Sequence, residues 1–198
     1  MKQTYSHYDV LKRVLNQFDE RIITELWPEI RANSKVMHLK KNEILIPISK
    51  VQTYSYFIVA GSFVTSFISA DGVEKAVWFN FDDQFRIVIS ANSYFYEEPS
   101  IYKTTAAEHS TVIRFAKRQV DEWAAKSSAF NQMYFQDVVN YFVSLQELMA
   151  YKLSHTPLQF LSFLKGKYPS YFERLSSKHL AHFAGVSPEW YSKLKKRL

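Results

Sequence analysis

Residues 176–195, SSKHLAHFAGVSPEWYSKLK, have the spacing of two short helices joined by a tight turn. Ala181 stands where the two helices approach closely, and Gly185 can adopt the positive φ that such a turn requires. Ser187 can cap the second helix, and Pro188 suits its first turn. The spacing therefore predicts a helix-turn-helix, with a helical hairpin of purely structural role as the alternative.

The second helix of this segment has polar and basic side chains on its outer side. A small core between the two helices is predicted from the positions of Leu180, Ala184, Val186, Tyr191 and Leu194. The outer side can contact bases and phosphates, so double-stranded DNA is the expected partner. The candidate DNA-binding residues are Ser177, Lys178, Ser187, Pro188, Glu189, Ser192, Lys193, Lys196 and Arg197.

The positive charge of the chain is concentrated in its last quarter. The 198 residues have a formal net charge of +6. From Lys152 to the end, nine Lys and Arg residues stand against two acidic ones, whereas residues 1–151 contain sixteen basic and seventeen acidic residues. A face that binds a polyanion explains this asymmetry, and a solvated lysine-rich tail is the alternative.

The composition is that of a globular protein with a bulky interior, since 16 Phe, 13 Tyr and 4 Trp accompany only 4 Gly. The absence of cysteine excludes disulfides, cysteine-ligated iron–sulfur clusters and thiol catalysis. No apolar run reaches the roughly 18–20 residues that cross a bilayer, and residues 1–14 lack the apolar stretch of a signal peptide. We therefore expect a cytoplasmic protein without membrane contact.

The chain between residues 36 and 115 has the pattern of short β-strands. Ile44, Ile46 and Ile48 recur at every second position, and Asp71-Gly72 is a strong hairpin signal. Further strands are predicted over 56–60, 77–81, 85–89 and 111–115. Helical spacing precedes this region over residues 8–31. The fold class is therefore α+β, with an N-terminal antiparallel β-barrel or jelly roll.

A long helix is predicted from residue 129 to about 153, with apolar residues in two stripes. The first stripe, a heptad seam and the candidate dimer interface, consists of Tyr134, Val138, Tyr141, Leu145 and Leu148. The second consists of Phe135, Val139, Phe142, Met149 and Leu153. Because a helix on a monomer surface needs one stripe, two favour a homodimer, and a helix buried on two sides is the alternative.

Three regions follow from these patterns. We predict a sensor domain with N-terminal helices over residues 1–128, a dimerisation helix over 129–155, and a helix-turn-helix domain over 156–198. The hinge between the last two is expected at His155-Thr156-Pro157, because the residue before proline avoids helical geometry.

No catalytic or metal-binding constellation stands out. His38 and His109 are the histidines of the strand-rich region, about seventy residues apart and without a His-x-His pair, so a cupin-like metalloenzyme is disfavoured. The paired acids at 82–83 and 97–98 point to opposite faces if they lie on strands, which makes them turn or edge residues. We expect no enzyme activity, no metal and no cofactor.

The order of these parts resembles the Crp/Fnr family of bacterial transcription regulators over nearly the whole chain. The matching segments are IVAGSFVTSFISADGVEKAV (58–77), AAEHSTVIRF (106–115) and RLSSKHLAHFAGVSPEWYSKLKKRL (174–198), the last similar to divergent members from Bacteroidetes. The resemblance implies a homodimer on a two-fold symmetric DNA site, controlled by a small-molecule effector. It also implies that Glu189 accepts from a cytosine amino group and that Lys193 faces a guanine or phosphate, supported by Ser187 and Ser192.

The resemblance places an effector pocket near Phe85, Arg86, Ser100 and Tyr102. Members that bind cyclic AMP use an arginine-serine pair for the phosphate, but Ser100-Ile101-Tyr102 stands at that position here. An isoleucine cannot neutralise a phosphate, so we expect an effector other than cyclic AMP, or none. The alternative function is a barrel-type ligand-sensing or interaction module without specific DNA binding.

Overall fold

The computed structural model describes residues 6–198. Residues 1–5, part of the predicted first region and of the segment tested for a targeting signal, lie outside the described residues. The chain begins with α1 (His7–Phe18) and α2 (Glu20–Ala32). Ser6 caps α1 in a capping box with Asp9.

Eight strands form two antiparallel sheets. They are β1 (Ser34–Leu39), β2 (Ile44–Ile46), β3 (Tyr54–Ala60), β4 (Ser62–Ile68), β5 (Glu74–Phe81), β6 (Ile87–Val88), β7 (Tyr102–Ala106) and β8 (Ser110–Ala116). The strand orders are β1-β8-β3-β6 and β2-β7-β4-β5. The predicted α+β class and antiparallel arrangement are confirmed, with two four-stranded sheets rather than a closed barrel. The short helix α3 (Ala91–Tyr96) lies between β6 and β7.

The predicted hairpin turn is confirmed, whereas two strands differ from the sequence pattern. Gly72 connects β4 to β5 with φ of +76°. The strand predicted over 85–89 is reduced to β6 because Phe85 has φ of +55°, which extended backbone does not allow. Strand β7 lacks apolar alternation, because its buried Thr104 hydroxyl pairs with the Thr65 hydroxyl at 2.9 Å.

Six helices complete the chain. They are α4 (Lys117–Lys126), α5 (Ser128–Ser154), α6 (Pro157–Lys167), α7 (Pro169–Arg174), α8 (Ser177–Ala184) and α9 (Pro188–Lys195). The break between α5 and α6 falls at His155, and Thr156 caps α6 in a capping box with Gln159. Between residues 6 and 198, no helix combines the length and the apolar content needed to span a bilayer.

The sheet that contains β3 is covered on one face by helices. Side chains of α1, α2 and α4 pack on Phe57, Ile113 and Phe115 from β3 and β8. Trp123 of α4 lies edge-on to the Phe115 ring at 5.8 Å between ring centroids. The N-terminal helices and α4 therefore share one core with the first sheet.

The C-terminal helices share a second core with the other sheet, because α8 lies on β5. Phe183 of α8 contacts Phe79 at 4.8 Å between ring centroids. Tyr171 of α7 stacks on Phe81 at 5.0 Å. Phe79, Phe81 and Tyr171 are completely buried. Each such aromatic side chain contributes about 1.5–3 kcal/mol through burial, so this packing fixes the helix-turn-helix on the strand.

Arg174, the last residue of α7, connects the C-terminal helices to the strand region by ion pairs. Its guanidinium lies 2.6 Å from Asp82 Oδ1 and 2.6 Å from Glu108 Oε1. Ser170 donates a hydrogen bond to Asp83 at 2.6 Å. Burial alone would lower the pKa of Arg174, but the bonds to the two carboxylates outweigh it and raise that pKa. Ion pairs and aromatic packing therefore both stabilise the contact between the C-terminal helices and the sheet that contains β5.

We expect Arg174→Ala to lower the free energy of unfolding by about 2–3 kcal/mol, because two half-buried carboxylates lose their charged partner. Urea denaturation measures this loss. Lys126→Ala, which removes the exposed pair with Glu29, serves as control and is expected to cost less than about 1 kcal/mol. Equal losses in the two variants would contradict the structural role of Arg174.

Candidate nucleic-acid interface and internal cavity

The turn between α8 and α9 has the geometry that only glycine adopts without strain. Gly185 has φ of +73°. Its N–H donates to the His182 carbonyl at 3.1 Å, and the Val186 N–H donates to the Ala181 carbonyl at 3.0 Å. These two bonds form a Schellman motif, which ends α8 and fixes the direction in which the chain continues.

The beginning of α9 is capped as the sequence predicts. The Ser187 hydroxyl accepts from the Trp190 N–H at 3.2 Å, and Pro188 occupies the first turn. Hydrogen bonds from its own backbone N–H and from Ser187 lower the pKa of Glu189. Glu189 is therefore an ionised acceptor at the exposed end of the helix. Ser192 donates its hydroxyl to the Pro188 carbonyl at 3.0 Å.

The inner side of α9 is buried, and its outer side faces solvent. Tyr191 is completely buried. Leu194 of the same helix and Leu180 and Ala184 of α8 are also buried. Val186 is half-buried against the same core, so the predicted core between the helices is confirmed. All of the candidate DNA-binding residues are exposed: Ser177, Lys178, Ser187, Pro188, Glu189, Ser192, Lys193, Lys196 and Arg197.

The basic residues of the last quarter divide into two groups. Arg174 binds the carboxylates described above, and Lys167 pairs with Glu147. By contrast, over the described part of the chain, no ion pair to a carboxylate side chain involves Lys193, Lys196 or Arg197. The charges of these three residues are therefore uncompensated, and they lie on and just beyond α9.

Trp190 is a functional candidate that sequence reasoning missed. Its side chain is 58% exposed on the outer side of α9, beside Glu189 and Lys193. The spacing gives no such signal, because Trp190 stands four residues before the inward Leu194 and therefore at the flank of the buried stripe. There its ring offers an apolar surface beside charged side chains.

The long helix α5 presents its two stripes differently from each other. From the first stripe, Leu148 is buried in its own chain, and the Tyr141 ring packs on Trp78 at 4.4 Å. Tyr134 is half-buried, whereas Val138 and Leu145 are 43% and 39% exposed. The second stripe is more exposed, with Phe135 at 67%, Phe142 at 56%, Met149 at 58% and Leu153 at 81%.

A cavity of about 510 Å³ lies between α5 and the helix-covered sheet, with walls from α1, β3, β5, α3 and α4. Its surface is largely apolar and aromatic, with Phe57, Trp78, Trp123, Phe130, Tyr134 and Tyr141 in the walls. Polar groups are few and include Arg86 and Asp137. Burial raises the pKa of Asp137 and lowers the pKa of Arg86, although Asp82 and Asp83 partly offset the effect on Arg86.

Of the four residues of the predicted effector pocket, Phe85 and Arg86 line the cavity. The Ser100 hydroxyl is buried 2.7 Å from the Ser90 hydroxyl and 2.8 Å from the Tyr102 carbonyl. The Tyr102 ring packs beside Phe67 at 6.2 Å between ring centroids. Burial raises the pKa of Tyr141 in the cavity wall to about 12, and the nearby Tyr102 adds to this effect.

Phe85 connects the cavity to the C-terminal helices. Its ring lies 4.9 Å from Trp78 and 6.2 Å from Tyr168 at the start of α7. The Asn80 amide donates to the Phe85 and Ile87 carbonyls at 2.8 and 3.0 Å, which holds the left-handed backbone in place. A strained residue that is held by several contacts is often functional.

Within residues 6–198, no group of three or more His, Cys, Asp or Glu side chains is arranged so that it could hold a metal ion. The outer side of α9 and the aromatic cavity are two surfaces of this range that can bind other partners.

Comparison with known proteins rests on structure. No family model and no curated protein matches the sequence. FixK2 from Bradyrhizobium japonicum is similar with a TM-score of 0.65 at 14% identity, over 83% of this chain and 84% of that one. A CooA variant from Carboxydothermus hydrogenoformans is similar with a TM-score of 0.68 at 12% identity, over 91% and 83%.

The third comparison is with CLP, the c-di-GMP responsive global regulator of Xanthomonas campestris. Its TM-score is 0.63 at 12% identity, over 86% of this chain and 89% of that one. Identities this low establish likeness of fold. The three proteins are regulators of the Crp/Fnr family, and the chain has the Crp/Fnr fold that the sequence resemblance implied.

Proposed function

We propose that the protein is a cytoplasmic, homodimeric transcription regulator of the Crp/Fnr type, without enzyme activity, that binds a two-fold symmetric DNA site. The observation that carries this proposal is the outer side of α9, where exposed cations without carboxylate partners project from a rigidly capped helix-turn-helix. Long-range attraction to phosphates needs such uncompensated charge.

The exposed residues divide by what they can contact on a duplex. Glu189 can accept from a cytosine amino group, and Lys193 can donate to a guanine. Trp190 offers its apolar ring to the methyl group of a thymine. Lys196 and Arg197, one turn further along, are placed for phosphates, as are Ser177 and Lys178 at the beginning of α8.

The dimer is proposed to form along α5. Tyr134, Tyr141 and Leu148 contact their own chain, so the seam uses Val138 and Leu145 together with the exposed Phe135, Phe142 and Met149. The last three recur every seven residues, which is the repeat of a two-helix coiled coil. A second copy of the same helix is therefore the partner that matches this stripe.

The test of DNA binding begins with selection of bound duplexes from a random pool. We expect Lys193→Ala to weaken binding to the selected duplex by about 1–3 kcal/mol and to relax the preference at one base pair. Lys196→Ala is expected to weaken binding to all duplexes alike and to reduce the salt dependence by about one phosphate contact. Fluorescence anisotropy at several salt concentrations measures both effects.

Lys12→Ala is the matched control, because it removes one exposed lysine from α1, which packs on the other sheet and not beside α8 and α9. It should leave both the affinity and the salt dependence unchanged. Equal affinity of the unaltered protein for selected and random duplexes would favour the alternative, a ligand-sensing or interaction module without specific DNA binding.

The dimer is tested by Phe142→Glu, which places a charge in the middle of the exposed stripe. We expect monomers in sedimentation equilibrium, because a buried unpaired carboxylate costs several kcal/mol at an interface. Gln136→Glu adds the same charge at an exposed polar position on the opposite side of α5 from this stripe and should leave the dimer intact. A monomeric unaltered chain, or a dimeric Phe142→Glu variant, would contradict the proposed seam.

A further inference from the structure

Two tryptophans supply large aromatic surfaces to the cavity wall. Trp78 and Trp123 both line the cavity, and they are only 4% and 2% exposed. Within residues 6–198, their indole N–H groups are buried without a partner in the protein. Because the nitrogen atoms are themselves inaccessible, the cavity offers a ligand the rings of these tryptophans rather than their N–H groups.

Arg86 adds a positive charge to the same cavity. Its Nη1 donates to the Ile58 carbonyl at 3.0 Å, and its guanidinium lies 5.6 Å from the centre of the Phe57 ring. Among the described residues, Arg86 forms no salt bridge, and the nearby Asp82 is already paired with Arg174. A half-buried guanidinium without a carboxylate partner favours an anionic ligand group.

The acidic groups of the cavity wall do not oppose such a ligand strongly. Asp83 accepts a hydrogen bond from Ser170 and lies 4.0 Å from the Arg174 guanidinium. Burial raises the pKa of Asp137, so its charged form is less favourable there than in water. Burial also raises the pKa of Tyr94 to about 12, so this hydroxyl stays protonated and remains a donor.

We propose that the cavity binds an apolar carboxylic acid that contains an aromatic ring, with its carboxylate at Arg86 and its ring among Trp78, Phe85 and Trp123. The volume of about 510 Å³ lies within the range of small-molecule sites. Aromatic rings in the walls favour a ring over an alkyl chain, since edge-to-face pairs add to simple burial. The single cation fits one carboxylate and cannot balance the charges of a polyphosphate.

The inference rests on the proposed function only for the ligand's role as effector, because binding itself is measured without DNA. The probes are 2-naphthoic acid, its neutral methyl ester and decanoic acid, titrated into the full chain by calorimetry. We expect 2-naphthoic acid to bind at least about tenfold more tightly than its ester, because a charged hydrogen bond is lost in the ester. It should also bind more tightly than decanoic acid.

Two variants locate the site. Arg86→Gln is expected to lower the affinity for 2-naphthoic acid by about tenfold or more and to remove the difference in affinity between the acid and its ester. Phe85→Leu replaces an aromatic side chain of the cavity wall by an alkyl one of similar size, so it should weaken binding of acid and ester alike. Lys41→Ala is the control and should change neither affinity.

Three results would overturn the proposal. The first is the absence of binding by 2-naphthoic acid up to about 1 mM. The second is an unchanged affinity in Arg86→Gln, verified as folded by its thermal transition. The third is tighter binding of decanoic acid, which would replace the ring by an alkyl chain. None of these results bears on the duplex experiments, so failure of the ligand and failure of DNA binding remain distinguishable.

Discussion

The packing of α8 on β5, fastened by Arg174, is the constraint on which the rest of the structure depends. Phe79 and Phe81 meet the helix-turn-helix, whereas Trp78 and Asn80 line the cavity. Successive side chains of a strand point to opposite faces, so one strand contacts both sites without any intermediate element. Without Arg174, Asp82 and Glu108 would repel each other where the helices have to dock. The position of α9 is therefore set by the sheet rather than by a flexible tether.

This arrangement gives the cavity a direct physical connection to the proposed DNA-binding surface. Phe85 lies in the cavity wall and against Tyr168, and Asp83 lies in the same wall while it accepts from Ser170. A ligand that moves residues 83–85 would shift the beginning of α7. Coupling of this kind requires that the ligand bind two arrangements of the contact with different affinity.

Local chemistry explains how much could be predicted from the sequence. The helix-turn-helix is encoded by neighbours in the chain, namely the glycine turn, the Ser187 cap and the inward positions of Tyr191 and Leu194, so its pattern is readable. Contacts between distant segments are not readable in the same way. The local pattern indicates turn or edge residues for the acids at 82–83, since nothing near them in the chain points to their partner Arg174, about ninety residues later. The first stripe of α5 packs on its own chain partly because Tyr141 contacts Trp78. The periodicity of a helix cannot indicate such a contact with a distant strand.

The break between α5 and α6 has a consequence for operator architecture. Only His155 and Thr156 separate the two helices, and Thr156 is itself fixed by its capping box. In a dimer joined along α5, such a stiff junction leaves little freedom to vary the distance between the two reading helices. Half-sites would then have to recur at one helical period of the duplex, about 34 Å apart, and the insertion of a few base pairs between them would not be tolerated.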